Sequence, residues 1–127
     1  MSTREREKAK VRKAAKVAAA PRASLRNLRM SPSKVRLVVD LVRGQNVVDA
    51  EAILTRCDKK AARHVLKLLR SAVANAEEKG VGSAENLKIK TAFVDEGPVM
   101  KRWNSRAQGR ACRILKRTSD ITIILDK

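Results

Sequence analysis

Aromatic side chains are scarce in this sequence of 127 residues: Phe93 and Trp103 are its only aromatic residues, and tyrosine is absent. The core must therefore be aliphatic, built from Leu, Val, Ile and Ala. Base stacking cannot be the main mode of binding to a nucleic acid, because proteins that hold single strands usually need several aromatic side chains. Contacts with phosphates and recognition of shape are the better prediction.

Acidic residues are also few, 13 against 30 lysines and arginines, which gives a net charge of +17. A small domain with this imbalance repels itself, and a polyanion relieves the repulsion. Nucleic acids and anionic membrane surfaces are the natural polyanions, and release of condensed counterions favours nucleic acid even before a specific contact forms. The charge therefore predicts a nucleic-acid partner.

Clusters of cysteine and histidine and long apolar runs are lacking as well. Cys57 and Cys112 do not belong to a CxxC pair and His64 is the only histidine, so we expect neither a structural zinc site, which normally needs four ligands, nor a cofactor. Two reduced thiols in an intracellular protein are the simplest interpretation. No stretch approaches about 18 apolar residues, which argues against a membrane span, and the N-terminus lacks the apolar region of a secretory signal.

The N-terminal segment, residues 1–22, is strongly basic. Its alanines and lysines favour helix, but it lacks a wide apolar stripe, and so short an isolated helix is marginal in water. We interpret residues 1–22 as a basic extension that is disordered off RNA. A solvated tail without function is one alternative; an Arg-rich transit peptide is another, which Glu5 and Glu7 weaken. Residues 23–127 then form a single domain.

Hydrophobic periodicity predicts three helices between residues 31 and 80. Ser31 and Pro32 suit the start of the first helix, and Gly44 suits its end. Its predicted apolar face holds Val35, Val38, Val39 and Val42, widened by Leu37 and Leu41.

The second helix, from about Val48 to Arg56, places Cys57 at a core position. Asp58 is the predicted cap of the third helix, which runs from Lys59 to about Lys79. The predicted buried stripe of the third helix is Ala61, Val65, Leu68, Ala72 and Ala76.

A period of two residues indicates strands at Leu25–Met30 and Leu87–Val94, and the β-branched, apolar run Ile121–Leu125 indicates a third. Between the last two lies a segment, residues 97–119, with seven lysines and arginines and no acid. Its glycines and Pro98 suit a bent chain, and strands lead in and out, so we predict an extended antiparallel hairpin at about 87–125 with its tip at about 97–110. Arms of about 12 residues would reach roughly 40 Å. A structureless solvated loop is the alternative, although long loops of that kind are uncommon in compact domains.

Trp103 lies within this positive charge. An exposed indole is costly in water, so we expect it to meet a base, a sugar or a partner surface; the alternative is that it folds back onto the domain.

Three stretches resemble the family of bacterial large-subunit ribosomal protein twenty-two. They are RMSPSKVRLVVDLVRG from Arg29, SAVANAE from Ser71, and FVDEGPVMKRW from Phe93 with its continuation RAQGRACRILKRTSDITIIL from Arg106. Together with the connecting helices they cover about Ala23 to the C-terminus. The third stretch is long and specific.

The resemblance implies an α+β fold: three helices packed on a small antiparallel three-stranded sheet, with a long protruding basic β-hairpin. It also implies a structural constituent of the large ribosomal subunit that binds large-subunit ribosomal RNA and supports subunit assembly. Its hairpin would line the nascent polypeptide exit tunnel. The expected location is the bacterial cytoplasm, and an organelle with ribosomes of bacterial type is the alternative. The implied partners are that RNA, neighbouring ribosomal proteins and the nascent polypeptide, with no membrane and no homo-oligomer.

Candidate site residues follow from charge and from the resemblance. The expected RNA-binding residues are Arg26, Arg29, Lys34, Arg36, Lys59, Lys60, Lys88, Lys90, Lys101, Arg102, Trp103, Arg106, Arg110, Arg113, Lys116 and Arg117. The expected tunnel-lining residues of the hairpin are Met100, Lys101, Arg102, Trp103 and Arg106. Asp120 departs from the family, where many relatives have histidine; an acid there is expected to weaken one RNA contact or to pair with Arg117.

Three other classes of protein compete with this interpretation. A histone-like DNA-bending protein also uses basic arms, with Pro98 as a possible wedge, but such proteins build most of their core between subunits. A membrane-surface protein would suit the basic tail, but the helices have apolar faces suited to a core. An enzyme is disfavoured because the sequence contains no GxSxG, P-loop or HExxH motif. The acidic pair Asp95-Glu96 is expected to pair with a nearby Lys or Arg or to shape a turn.

Overall fold

The computed structural model describes residues 7–8 and 20–127, so the predicted extension at residues 1–22 lies almost wholly outside the described residues. Within residues 20–127 the strands are β1 (Arg22–Leu28), β2 (Lys88–Glu96), β3 (Met100–Ser105), β4 (Ala111–Lys116) and β5 (Ser119–Asp126). The helices of the same range are α1 (Pro32–Val42), α2 (Val47–Arg56) and α3 (Lys60–Glu78), followed by one 3-10 turn at Ala84–Asn86.

The core lies between the helices and a three-stranded antiparallel sheet of order β1-β5-β2. The central strand β5 turns Ile121, Ile123 and Leu125 inward, all fully buried, and α3 packs on β1 and β5 while α1 packs on β2. A second, two-stranded sheet, β3-β4, forms the hairpin. The α+β class, with three helices on a small antiparallel sheet and a protruding hairpin, is therefore confirmed.

Helix α1 begins and ends where the sequence predicts. Ser31 occupies the N-cap position before Pro32, although its side chain makes no capping hydrogen bond. The four valines are buried, but Leu37 is 66% exposed and Leu41 is 52% exposed, so the predicted widening of the apolar face was wrong. At about 3.6 residues per turn, both leucines lie more than a quarter turn from the centre of the valine stripe.

The predicted cap of α3 was also wrong. The helix begins at Lys60, so Lys59 and not Asp58 takes the N-cap position, and no side chain caps the helix. The predicted buried stripe from Ala61 to Ala76 is confirmed. Cys57, at the end of α2, is half-buried against the core.

Strand β2 changes its buried side part-way along. Ile89 pairs with Leu125, but Thr91 pairs with Ile124, so Lys90 is an extra residue that forms a bulge. A bulge inserts one residue and reverses the alternation of side chains beyond it. Ile89 is therefore buried before the bulge, and Ala92 and Val94 are buried after it.

A second irregularity, in β1, gives Asp120 a structural role. The register of β1 against β5 shifts between Leu25 and Leu28, and Asn27 adopts a positive φ of 58° there. The Asn27 backbone N–H donates to Asp120 Oδ1 over 2.7 Å. A pair between Asp120 and Arg117 was one of the two expectations for this residue, and the structure does not contain it. The Arg117 guanidinium instead lies 3.4 Å from Glu96 Oε2. This confirms the expectation that the acidic pair Asp95-Glu96 contacts a nearby Lys or Arg.

The hairpin leaves the sheet at a tight junction of residues 97–98 and 117–118. The Gly97 N–H donates to the Thr118 carbonyl oxygen over 3.0 Å, and the Thr118 hydroxyl donates to the Pro98 carbonyl oxygen over 2.7 Å. A Cβ on residue 97 would lie 2.5 Å from Thr118 Oγ1 and 3.1 Å from Asp120 Oδ1. The junction therefore requires glycine at position 97.

Replacing Gly97 with alanine is expected to lower the free energy of unfolding by about 1–3 kcal/mol, because Thr118 can avoid the new methyl group only by giving up its bond to Pro98. Urea denaturation followed by circular dichroism measures the loss. Gly82→Ala is the matched control, since its Cβ would make only ordinary contacts at 3.6 Å and 3.8 Å. Equal midpoints for the two variants would contradict the expectation.

Candidate nucleic-acid interface

The hairpin projects as an exposed two-stranded ribbon. Its strands pair from Met100 with Lys116 to Ser105 with Ala111, and each paired arm of six residues spans about 20 Å. The turn closes with the Arg106 N–H donating to the Arg110 carbonyl oxygen over 2.8 Å, and Gln108 and Gly109 both have positive φ. Every residue from 101 to 117 is exposed. The paired arms are about half as long as predicted.

Cations lie on both faces of this ribbon. Residues directly opposite each other in an antiparallel pair share a face, and successive pairs alternate between faces. Near the base each pair combines one cation with one apolar side chain: Met100 with Lys116, Lys101 with Leu115, Arg102 with Ile114, and Trp103 with Arg113. This pairing keeps like charges from facing each other directly, which would be destabilising. The ribbon can thus bind polyanions on two sides at once.

Trp103 does not fold back onto the domain. Its side chain is 65% exposed, and the guanidinium of Arg113 lies 5.0 Å from the ring centroid, within the range of a cation–π contact. The indole and the guanidinium form a planar, cationic surface of the kind that can stack on a base or a sugar.

A groove of about 850 Å³ brings together residues that are far apart in the sequence. It lies where the starts of α1 and α3 meet the base of the hairpin, and Arg29 also donates to the sulfur of Met100 there. Six predicted RNA-binding residues line it: Arg29, Lys34, Lys59, Lys60, Lys116 and Arg117. Among the described residues, no acid lines this groove.

The other predicted residues on the domain lie elsewhere. Arg36 donates through Nε and Nη2 to the Val94 carbonyl oxygen, so it caps the free edge of β2, and Arg43 does the same at Ala92. Arg26 lies on the open face of the sheet, beside Asp95 and Asp120. These positions leave fewer donors for an external phosphate than the groove does.

Lys88 and Lys90 lie on exposed positions of β2. Lys88 is opposite Asp126 in the register, and Lys90 Nζ lies 2.6 Å from Asp126 Oδ2. The hydrogen bond from Lys90, with a further one from the Lys127 backbone, lowers the pKa of Asp126 below its ordinary value. The ammonium group of Lys90 is therefore already paired with a carboxylate at the end of β5.

Sequence reasoning missed the apolar part of the groove, which Met30, Leu37 and Leu115 line beside the cations. The angular position of Leu37 on α1, away from the valine stripe, was the signal that could have found it.

Within residues 7–8 and 20–127, no helix is long and apolar enough to cross a membrane. No group of three or more His, Cys, Asp or Glu residues in the same ranges could hold a metal ion.

The hydrogen-bonded amides of β3 and β4 are expected to exchange with deuterium much faster than those of β5 in the free protein. Beyond contacts at its base, such as Arg29 with Met100, the ribbon has only its own pairing, and an isolated two-stranded hairpin is marginally stable in water. Strand β5, in contrast, is buried between two strands and the helices. Exchange followed by NMR measures the difference. Protection of β3 and β4 equal to that of β5 would show that the hairpin is held in some other way.

Comparison with known proteins gives a consistent result. The sequence model of the family described as Ribosomal protein L22p/L17e matches residues 23–126. The large ribosomal subunit protein uL22 of Herpetosiphon aurantiacus is 54% identical over 105 residues, which are 83% of this chain and 93% of the relative. The uL22 proteins of Geobacter metallireducens and Syntrophobacter fumaroxidans are 53% and 56% identical over 104 residues, 82% of this chain and 94% of each relative.

The basic α+β fold, its projecting hairpin and these relatives define the class as structural proteins of the ribosome, not enzymes. Within that class, the chain belongs to the ribosomal protein L22p/L17e family and is a constituent of the large ribosomal subunit, in the cytoplasm. The resemblance seen in the sequence is confirmed.

Proposed function

We propose that the chain binds large-subunit ribosomal RNA through the groove and the hairpin, and that it supports assembly of the subunit by holding RNA segments on both sides of the hairpin. The observation that carries this proposal is the distribution of charge: seven cations and no acid between residues 97 and 119, on a ribbon exposed on both faces. A hairpin that contacted RNA on one side would need cations on only one face of the ribbon.

The groove and the hairpin together form one continuous basic surface. Lys116 and Arg117 line the groove and also form the base of the hairpin, so phosphates can be contacted without interruption from α3 to the ribbon. Lysine and arginine contacts to phosphate position a protein on RNA without reading its sequence. Neighbouring ribosomal proteins share the same subunit and are further partners.

We propose the same RNA-binding residues that the sequence predicted, but the contacts within the chain make some of them better candidates than others. The lysines of the groove have exposed side chains, whereas Arg36 and Lys90 have partners within the chain. Arg29 and Arg117 in the groove also have partners, Met100 and Glu96. The proposal for the tunnel is that the hairpin lines the path of the nascent polypeptide with Met100, Lys101, Arg102, Trp103 and Arg106. It is supported by family membership and by the exposure of this strand and turn.

Replacing Lys101, Arg102 and Arg106 with alanine is expected to flatten the salt dependence of binding to large-subunit ribosomal RNA. Each lost phosphate contact lowers the slope of log K against log salt by about 0.7–1, so the slope should fall by about 2–3. Filter binding over a range of potassium chloride concentrations measures it. The control variant replaces Arg56, Lys67 and Lys127, three exposed cations outside the groove and the hairpin. Equal slopes in the two variants would place the binding surface elsewhere.

The tunnel proposal predicts crosslinks from a nascent chain. Ribosomes stalled with a photoreactive residue in the tunnel should crosslink to the hairpin segment 100–106 and not to α2 or α3, because within residues 20–127 the ribbon is the part that extends away from the domain. Peptide mapping of the crosslinked protein identifies the segment. Crosslinks confined to other tunnel components at every position of the photoreactive residue would reject the tunnel proposal and leave RNA binding intact.

A further inference from the structure

The groove has a lining that phosphate binding alone does not require. Besides its six cations, it presents Met30, Leu37 and Leu115. Leu37 is 66% exposed and Leu115 is 45% exposed, and burying a leucine side chain fully is favourable by about 1.5–3 kcal/mol. A ligand that only neutralised charge would leave these two side chains against a polar surface.

We propose that this groove holds an unpaired nucleotide of the ribosomal RNA, with its base against Leu37 and Leu115 and its phosphates near Lys34, Lys59 and Lys60. The inference rests on the proposed function, because it specifies how one part of that RNA is bound. Its basis is the combination of apolar and cationic lining in one concave site.

An RNA duplex fits this lining poorly. A duplex keeps the faces of its bases stacked inside and presents phosphates and sugars outward, whereas a bulged or looped nucleotide exposes the face of its base. The exposed face is apolar, and its edges accept hydrogen bonds from lysine, arginine or Ser31, which also lines the groove. The duplex would satisfy the lysines and leave the leucines uncovered.

The groove is large enough to hold a nucleotide, and its composition suits one. Its volume of about 850 Å³ falls within the roughly 300–1,000 Å³ of sites for small molecules. Phe93 and Trp103, the two aromatic residues of the chain, are not among its lining residues, so aliphatic side chains provide the apolar surface for the base. An acidic peptide of a neighbouring protein would match the cations, but six cations without an acid suit phosphates better.

The test compares Leu37→Ser with Leu41→Ser. Both leucines are exposed on α1, but Leu41 does not line the groove. Large subunits are reconstituted with wild-type protein or either variant, protein occupancy is checked by mass spectrometry, and the RNA is probed with base-modifying reagents. We expect an unpaired nucleotide that is protected in wild-type subunits to become reactive with Leu37→Ser and to stay protected with Leu41→Ser.

Binding to purified RNA gives the energetic counterpart. A fragment containing that nucleotide should bind Leu37→Ser about 5- to 10-fold more weakly than the wild-type protein, and removal of the base should weaken wild-type binding by a similar factor. The two changes together should cost no more than either alone, because both remove the same contact.

Identical reactivity profiles for the two variants, or changes confined to paired nucleotides, would overturn the proposal, and a groove filled by an acidic peptide would give the first of these results. Failure of the proposed function is a different outcome: wild-type protein would then neither bind the RNA nor enter the reconstituted subunit.

Discussion

The pairing of β5 with β2 is the interaction on which the hairpin depends. These strands bury Ile121, Ile123 and Leu125 against Ala92 and Val94, and β1 completes the sheet on the other side of β5. The ribbon continues the same two strands but buries nothing of its own between residues 101 and 117. The hydrophobic core beneath the sheet therefore holds in place a ribbon that has no core of its own. The junction at Gly97 and Thr118 connects the buried strands to the ribbon.

The distribution of charge also differs between the ribbon, the edge of the sheet and the groove. A protein of net charge +17 must keep its cations apart or give them partners. On the ribbon, the cations near the base face apolar side chains across the strands, and at the edge of β2 the guanidiniums of Arg36 and Arg43 bond to backbone carbonyl oxygens. The loop after α1 pairs with the start of β2, and the two guanidiniums protect the part of this edge beyond that loop. The groove is different, because its six cations converge around one space that no acid among the described residues lines, although Arg117 also pairs with Glu96.

Much of this fold could be predicted from the sequence, because its signals are local. The valine spacing of α1 and the stripe of α3 depend on helical periodicity alone, and the uninterrupted positive charge between Gly97 and Ser119 marks the hairpin. The groove could not be predicted as a unit, because it joins α1, α3 and β4, which meet only in the folded chain. Asp58 failed as a cap because the third helix begins one residue later than expected. No local pattern shows that Asp120 accepts a hydrogen bond from a residue 93 positions away.

Register was the least predictable feature of the fold, because no local pattern in the sequence marks the shifts on either side of β5. Both neighbours of β5 carry a shift, at Asn27 in β1 and at Lys90 in β2, and three residues link β2 to β3 where only two link β4 to β5. Extra residues of this kind bend a strand and increase its twist. The shift at Asn27 lies beside Asp120, and Gly97 lies at the junction, so both are next to the base of the ribbon, whereas the bulge at Lys90 is at the opposite end of β2. The direction in which the hairpin presents its cations therefore depends on the close contacts at Gly97 as well as on the cations themselves.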